Sequence, residues 1–156
     1  MRNRLLSLIC LIGLLPGFSL AQTGTEDTYA RVDTSVQIRD DLRITTLGGI
    51  GVSDRKVGHI DLVFINSDAE DEGNTLGVEM GGAFSARLGP TFFYLGLGGL
   101  LGYDTEDDIV ATVYPEIGAA LTFGRFGVIA SGKYYLDLKG DSEEVLMLGI
   151  LYKIAA

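Results

Sequence analysis

The sequence predicts an all-β protein, an eight-stranded antiparallel up-and-down transmembrane β-barrel, on three observations. From residue 22 onward, charged and apolar side chains alternate with period two in segment after segment, so each segment has one ionic and one aliphatic face. No stretch beyond residue 21 is continuously apolar over the roughly 18 residues that a membrane helix needs. The connections fall into two alternating kinds, one acidic and one short and basic, which supports consecutive strands running up and down, because only then do the odd connections share one end.

The first segment is read as a signal peptide spanning residues 1–21, cleaved between Ala21 and Gln22. Arg2 and Arg4 precede an apolar core from Leu5 to Leu15, followed by Pro16-Gly17 and small residues at Ser19 and Ala21. That core is too short to span a bilayer as a helix. Cys10 lies inside it, so the expected mature chain has no cysteine and no thiol chemistry. Residues 22–156 are expected to form one barrel domain.

Eight strands are expected, at 29–39, 42–52, 58–66, 74–86, 91–103, 109–123, 126–138 and 145–154. The first shows the rule: Ala30, Val32, Thr34, Val36 and Ile38 share one face, and Arg31, Asp33, Ser35, Gln37 and Arg39 the other. After strands 1, 3, 5 and 7 come acidic connections: Asp40-Asp41, Asp68 to Glu72, Asp104 to Asp108, and Asp141 to Glu144. After strands 2, 4 and 6 come Ser53 to Lys56, Arg87 to Pro90 and Gly124-Arg125. Both termini then lie at the basic end, the periplasmic end of a bacterial barrel. Phe84, Phe92, Phe93, Phe123, Phe126 and Tyr152 cluster near that end, where an interfacial girdle belongs.

Without Arg2 and Arg4 the chain keeps 10 basic against 21 acidic residues, a net charge of −11, which argues against nucleic acid as a partner. Mid-strand residues on the polar phase are Arg31, Asp33, Arg43, Asp61, Glu79, Glu116, Lys133 and Lys153. Four positive and four negative charges form a neutral ionic network suited to a narrow interior, because a buried unpaired charge costs several kcal/mol. The opposite phase carries no formal charge and includes Ile44, Ile50, Leu62, Val78, Ile117 and Leu148. A soluble barrel binding an apolar ligand would invert this pattern. Glycines 49, 51, 77, 81, 118 and 149 would make room inside for the long charged side chains, which argues against a diffusion pore. Strand 5 is apolar or glycine on both faces, and its phase stays open.

The run Gly149-Ile150-Leu151-Tyr152-Lys153-Ile154 resembles the signal read by the outer-membrane insertion machinery, with Gly149, Tyr152 and Ile154 as its marked positions. By size and organisation the chain resembles the small eight-stranded outer-membrane proteins of the OmpX and OmpA-barrel kind. Phe64 to Asp68 with Leu76 to Val78, and Gly132 to Asp137, resemble the YfaZ family. The resemblance implies an outer-membrane location in a Gram-negative bacterium and no catalytic residues. Expected partners are the insertion machinery, outer-membrane lipids and lipopolysaccharide, with the protein a monomer that needs no cofactor or metal.

Two chemistries remain in the residues. His59, the only histidine, shares a face with Asp61, as in a hydrolase triad. Outer-membrane lipid A deacylases place a nucleophilic Ser two residues after a His, whereas here that residue is Asp61, so His59 reads as part of the ionic interior. The acidic connections offer oxygen ligands for Ca²⁺ or Mg²⁺ but no spaced calcium-loop signature. The leading expectation is a non-enzymatic outer-membrane barrel with a structural or surface-interaction role; the rivals are a lipid-modifying enzyme and a soluble apolar-ligand binder.

Overall fold

A period of two, held for ten or more residues, suits a strand and not a helix, and the chain forms strands where the alternation runs. The structure, a computed structural model, describes residues 27–36, 42–67, 73–105, 109–137 and 142–155. These form β1 (Asp27–Val36), β2 (Leu42–Val52), β3 (Lys56–Ser67), β4 (Thr75–Leu88), β5 (Thr91–Asp104), β6 (Ile109–Phe123), β7 (Phe126–Asp137) and β8 (Ser142–Ala155). The expected bounds of β2 and β6 coincide with these, and the others shift by one to three residues at an end. The expected signal peptide, Cys10, Gln37 to Arg39 and most acidic loop residues lie outside the described residues.

Each strand pairs antiparallel with the next, and β1 returns to pair with β8, with Val32 opposite Ile150 and Asp33 opposite Gly149. The sheet is closed and has no free edge. Two of the connections at the basic end are two-residue turns, Gly89-Pro90 and Gly124-Arg125. Gly89 and Gly124 have φ of 61° and 63°, the sign that a type II′ hairpin turn needs at its first central position. The third, between β2 and β3, is tied by the Ser53 amide donating to the Lys56 carbonyl at 2.8 Å.

Charges point in and aliphatic side chains point out. Arg31, Asp33, His59, Asp61, Glu79, Glu116 and Lys133 are all buried, while Val32, Ile60, Leu62, Leu76, Ile117 and Leu148 are exposed. The interior also has levels. At the basic-turn end Tyr29, Ile50, Val52, Phe92, Ile129 and Leu151 pack into one apolar cluster. At the acidic-loop end Ile44, Val63, Leu100, Tyr114, Tyr135 and Met147 pack into another. The ionic side chains lie on the same inner face between these two groups in strand order.

Two expectations are corrected here, and one open choice is resolved. β2 has the opposite phase: Ile44 and Ile50 are buried inside, whereas Arg43 is exposed on the outer face and Gly49 and Gly51 share its phase. Directly opposed residues on neighbouring strands share a face. Gly48 lies opposite both Arg31 and Asp61, so its phase must be the inner one. Hydrophobicity alone misleads on β2 because its more apolar phase is the one that packs inside. Phe92 leaves the expected girdle and is fully buried, while Phe84, Phe93, Phe123, Phe126 and Tyr152 are exposed. The open phase of β5 resolves with Phe92, Tyr94 and Leu100 inward and Phe93, Leu95, Leu97 and Leu101 outward.

Candidate functional site: the ionic layer inside the barrel

Five strands supply the charges of the interior. β1 brings Arg31 and Asp33, β3 His59 and Asp61, β4 Glu79, β6 Glu116, and β7 Lys133. Narrowness is the constraint, because eight strands leave an interior that side chains nearly fill. The register meets it by setting a glycine directly opposite large inward side chains: Gly48 opposite Asp61, Gly81 opposite His59, Gly149 opposite Asp33, Gly98 opposite Tyr114 and Gly118 opposite Tyr94. A Cβ at any of these glycines would run into the atoms of that partner.

The charges form one connected network. Arg31 Nε lies 2.6 Å from Asp33 Oδ2, and Arg31 Nη2 lies 3.6 Å from Asp61 Oδ2 and 3.8 Å from Glu79 Oε1. The close Arg31–Asp33 approach is an ion pair whose N–H is not aligned for a hydrogen bond. Lys133 Nζ donates to Glu79 Oε1, and Tyr135 donates its hydroxyl to Glu79 Oε2 at 3.2 Å. The same ammonium lies 4.9 Å from the centre of the Tyr114 ring, a cation–π contact. His59 Nδ1 is 2.7 Å from Asp61 Oδ2, and its Nε2 is 3.1 Å from Glu116 Oε2. Tyr94 donates to Glu116 Oε1 at 3.1 Å.

Of the eight residues expected in the network, Arg31, Asp33, Asp61, Glu79, Glu116 and Lys133 are brought together. Arg43 is outside the barrel. Lys153 is on the inner phase but at the rim, where its Nζ lies 2.6 Å from Asp27 Oδ1 while Arg87 Nη2 lies 2.7 Å from Asp27 Oδ2. The network's remaining members are His59, Tyr94, Tyr114 and Tyr135. They sit on the inward phase, so alternation carries a signal for them, for Tyr94 only once the phase of β5 is known. At the insertion signal, Gly149 faces inward against Asp33, while Tyr152 and Ile154 face outward. The Tyr152 ring meets Phe126 edge-on at 5.3 Å.

His59, Asp61 and Glu79 are buried with ligand atoms within 4.8 Å of one another, the geometry that could hold a metal ion. The guanidinium of Arg31 and the ammonium of Lys133 already stand against those carboxylates, and a divalent ion would have to displace them. Nor is His59 arranged as a base for a hydroxyl, since both of its nitrogens face carboxylates. The inward hydroxyls Ser85 and Ser131 have no other histidine to activate them, as the chain holds one. Of the acidic positions considered for divalent cations, residues 68, 70–72, 106–108 and 141 lie outside the described residues; Asp104, Glu143 and Glu144 sit at strand ends on the same side of the barrel.

No family model matches this chain, and no curated protein matches its sequence. What the structure shares with small outer-membrane barrels is the closed eight-stranded antiparallel architecture.

Proposed function

We propose that this chain is a small, monomeric outer-membrane protein of a Gram-negative envelope, exported by a signal peptide at residues 1–21, with a structural or surface-interaction role and no enzymatic activity. One observation carries the membrane reading. The outer face displays Leu47, Ile60, Leu62, Leu76, Leu95, Leu97, Leu101, Ile117, Val128 and Ile150, all exposed, while Arg31, Asp33, His59, Asp61, Glu79, Glu116 and Lys133 are inside. Water would make that face costly at about 25 cal/mol per Å² of apolar surface, and lipid removes the cost. Closure of the sheet meets the second demand of a bilayer, that no backbone hydrogen-bonding group be left unpaired.

The interior supports a filled barrel over a pore, because apolar clusters lie on both sides of the ionic layer. The expected role of Gly149, Tyr152 and Ile154 in insertion fits their place on the closing strand. On this reading the partners are outer-membrane lipids, lipopolysaccharide and the insertion machinery. The reading also accords with the resemblance to OmpX, the OmpA barrel and the YfaZ family.

Extraction decides it. After an alkaline carbonate wash the protein is expected to stay with the membrane and to need detergent for release. The folded barrel should also migrate faster in SDS unboiled than boiled. Release by carbonate, with one mobility in both samples, would favour a soluble barrel and defeat the proposal.

A further inference from the structure

Arg43 points outward and takes no part in the interior network. It is exposed on the second residue of β2, at the acidic-loop end. Its direct cross-strand neighbour is Asn66 of β3, also exposed. Two residues along the strand, roughly 7 Å at the usual rise, Thr45 lies opposite Phe64, Phe64 opposite Leu76, and Leu76 opposite Tyr103. That row and the next form a shallow apolar groove of about 450 Å³ on the outer face, lined by Leu62, Phe64, Leu76, Val78, Leu101 and Tyr103.

In strand register Arg43 and Asn66 occupy the row above this aliphatic and aromatic trough. The chain is strongly acidic as a whole, so a cation fixed at this end of the apolar belt is an exception to its surroundings. Among the strand residues described as exposed on the outer face, the formal charges at this end are Arg43 on β2 and Glu144 on β8. Arginine matches a phosphate through paired N–H donors, and the shallow groove beside it is lined by apolar side chains.

We propose that Arg43 and Asn66 bind the phosphate of a phosphorylated, acylated glycolipid of the outer leaflet, one of whose acyl chains lies in the groove from Phe64 to Leu101. The proposal rests on the membrane reading above. Arg43 supplies charge, Asn66 a further donor, and the groove the selection for a lipid over a free anion. No cation bridge is involved, because the positive charge belongs to the protein.

The test uses the full-length mature chain refolded in neutral detergent, with the heat-modifiable band confirming the folded barrel in every variant. Native mass spectrometry in EDTA then follows retention of diphosphorylated hexa-acyl glycolipid, with phosphatidylcholine and inorganic phosphate as separate probes. Wild type is expected to retain one glycolipid and to prefer it over phosphatidylcholine. Arg43→Gln and Leu76→Ser should each weaken retention at least tenfold, with Arg43→Lys intermediate and Glu144→Gln unchanged. Equal retention by Arg43→Gln and wild type would overturn the site. So would competition by inorganic phosphate at the concentrations where the lipid competes, or loss of all retention in EDTA, which would mean divalent bridging. Failure of the membrane reading looks different: no heat-modifiable band and no need for detergent.

Discussion

Lys133→Met should be among the most damaging single substitutions in this barrel. Both side chains of the Lys133–Glu79 pair are fully buried, and Lys133 also lies against the Tyr114 ring. Methionine keeps the length of the aliphatic stem and removes the ammonium, leaving Glu79 with the Tyr135 hydroxyl at 3.2 Å and Arg31 at 3.8 Å. Removing one partner of a buried pair costs about 3–5 kcal/mol. With a urea slope of about 1–3 kcal/mol per molar, the unfolding midpoint should fall by at least about 1 M. The chain has no tryptophan, so unfolding in lipid vesicles is best followed by far-UV circular dichroism or by the fraction of heat-modifiable band. The double variant Glu79→Gln/Lys133→Met removes the stranded charge and should recover more than half of the loss. An unchanged midpoint for the single variant, or a double variant no better than the single, would refute the reasoning and imply a water-filled interior.

Asp27→Asn removes the negative charge that Lys153 and Arg87 share at the partly exposed rim, and its cost should be far below that of Lys133→Met and should shrink with salt in the same urea assay. Gly118→Val places a branched side chain against the Tyr94 ring and should lower refolding yield, scored as the heat-modifiable fraction, whereas Gly132→Ala meets only ordinary contact with Ile117 and should refold as wild type does. Cells overexpressing wild type and His59→Gln should have identical lipid A by mass spectrometry, while the purified variant unfolds at lower urea because Asp61 and Glu116 lose a shared donor. Acyl loss in wild type that vanishes in the variant would restore the lipid-enzyme reading.

How much of this was legible depends on what alternates. In β1 and β3, charges alternate with large aliphatics, Arg31-Val32-Asp33 and His59-Ile60-Asp61-Leu62, and a one-residue slip would put charge into the apolar belt. The phase of these strands is therefore written locally. β2 and β5 carry glycine on both phases, so their own residues leave the choice weak, and it is made by neighbours: Gly48 beside Arg31 and Asp61, Gly98 beside Tyr114. Charge pairing was less legible than phase. Glu79 and Lys133 are 54 residues apart and on non-adjacent strands, so their meeting depends on how strands tilt and stagger around a closed barrel. Lys153 shows the same limit, with its phase readable and its level not, because Asp27 fell before the expected first strand.

The misplacement of Arg43 and Lys153 also changes the charge balance, and that bears on His59. An even inventory of four cations and four anions would leave the histidine free to be neutral. The observed layer sets two basic side chains, Arg31 and Lys133, among four carboxyl side chains, Asp33, Asp61, Glu79 and Glu116. His59 sits between two of these carboxyl groups, with Nδ1 and Nε2 each facing a carboxyl oxygen. Either ring nitrogen can donate to a carboxylate or accept from a protonated carboxyl, so both nitrogens are occupied by structural partners. A general base must instead keep one nitrogen unprotonated and within reach of the group it serves. Packing and catalysis thus make opposite demands on the same ring, and the geometry around His59 meets the first.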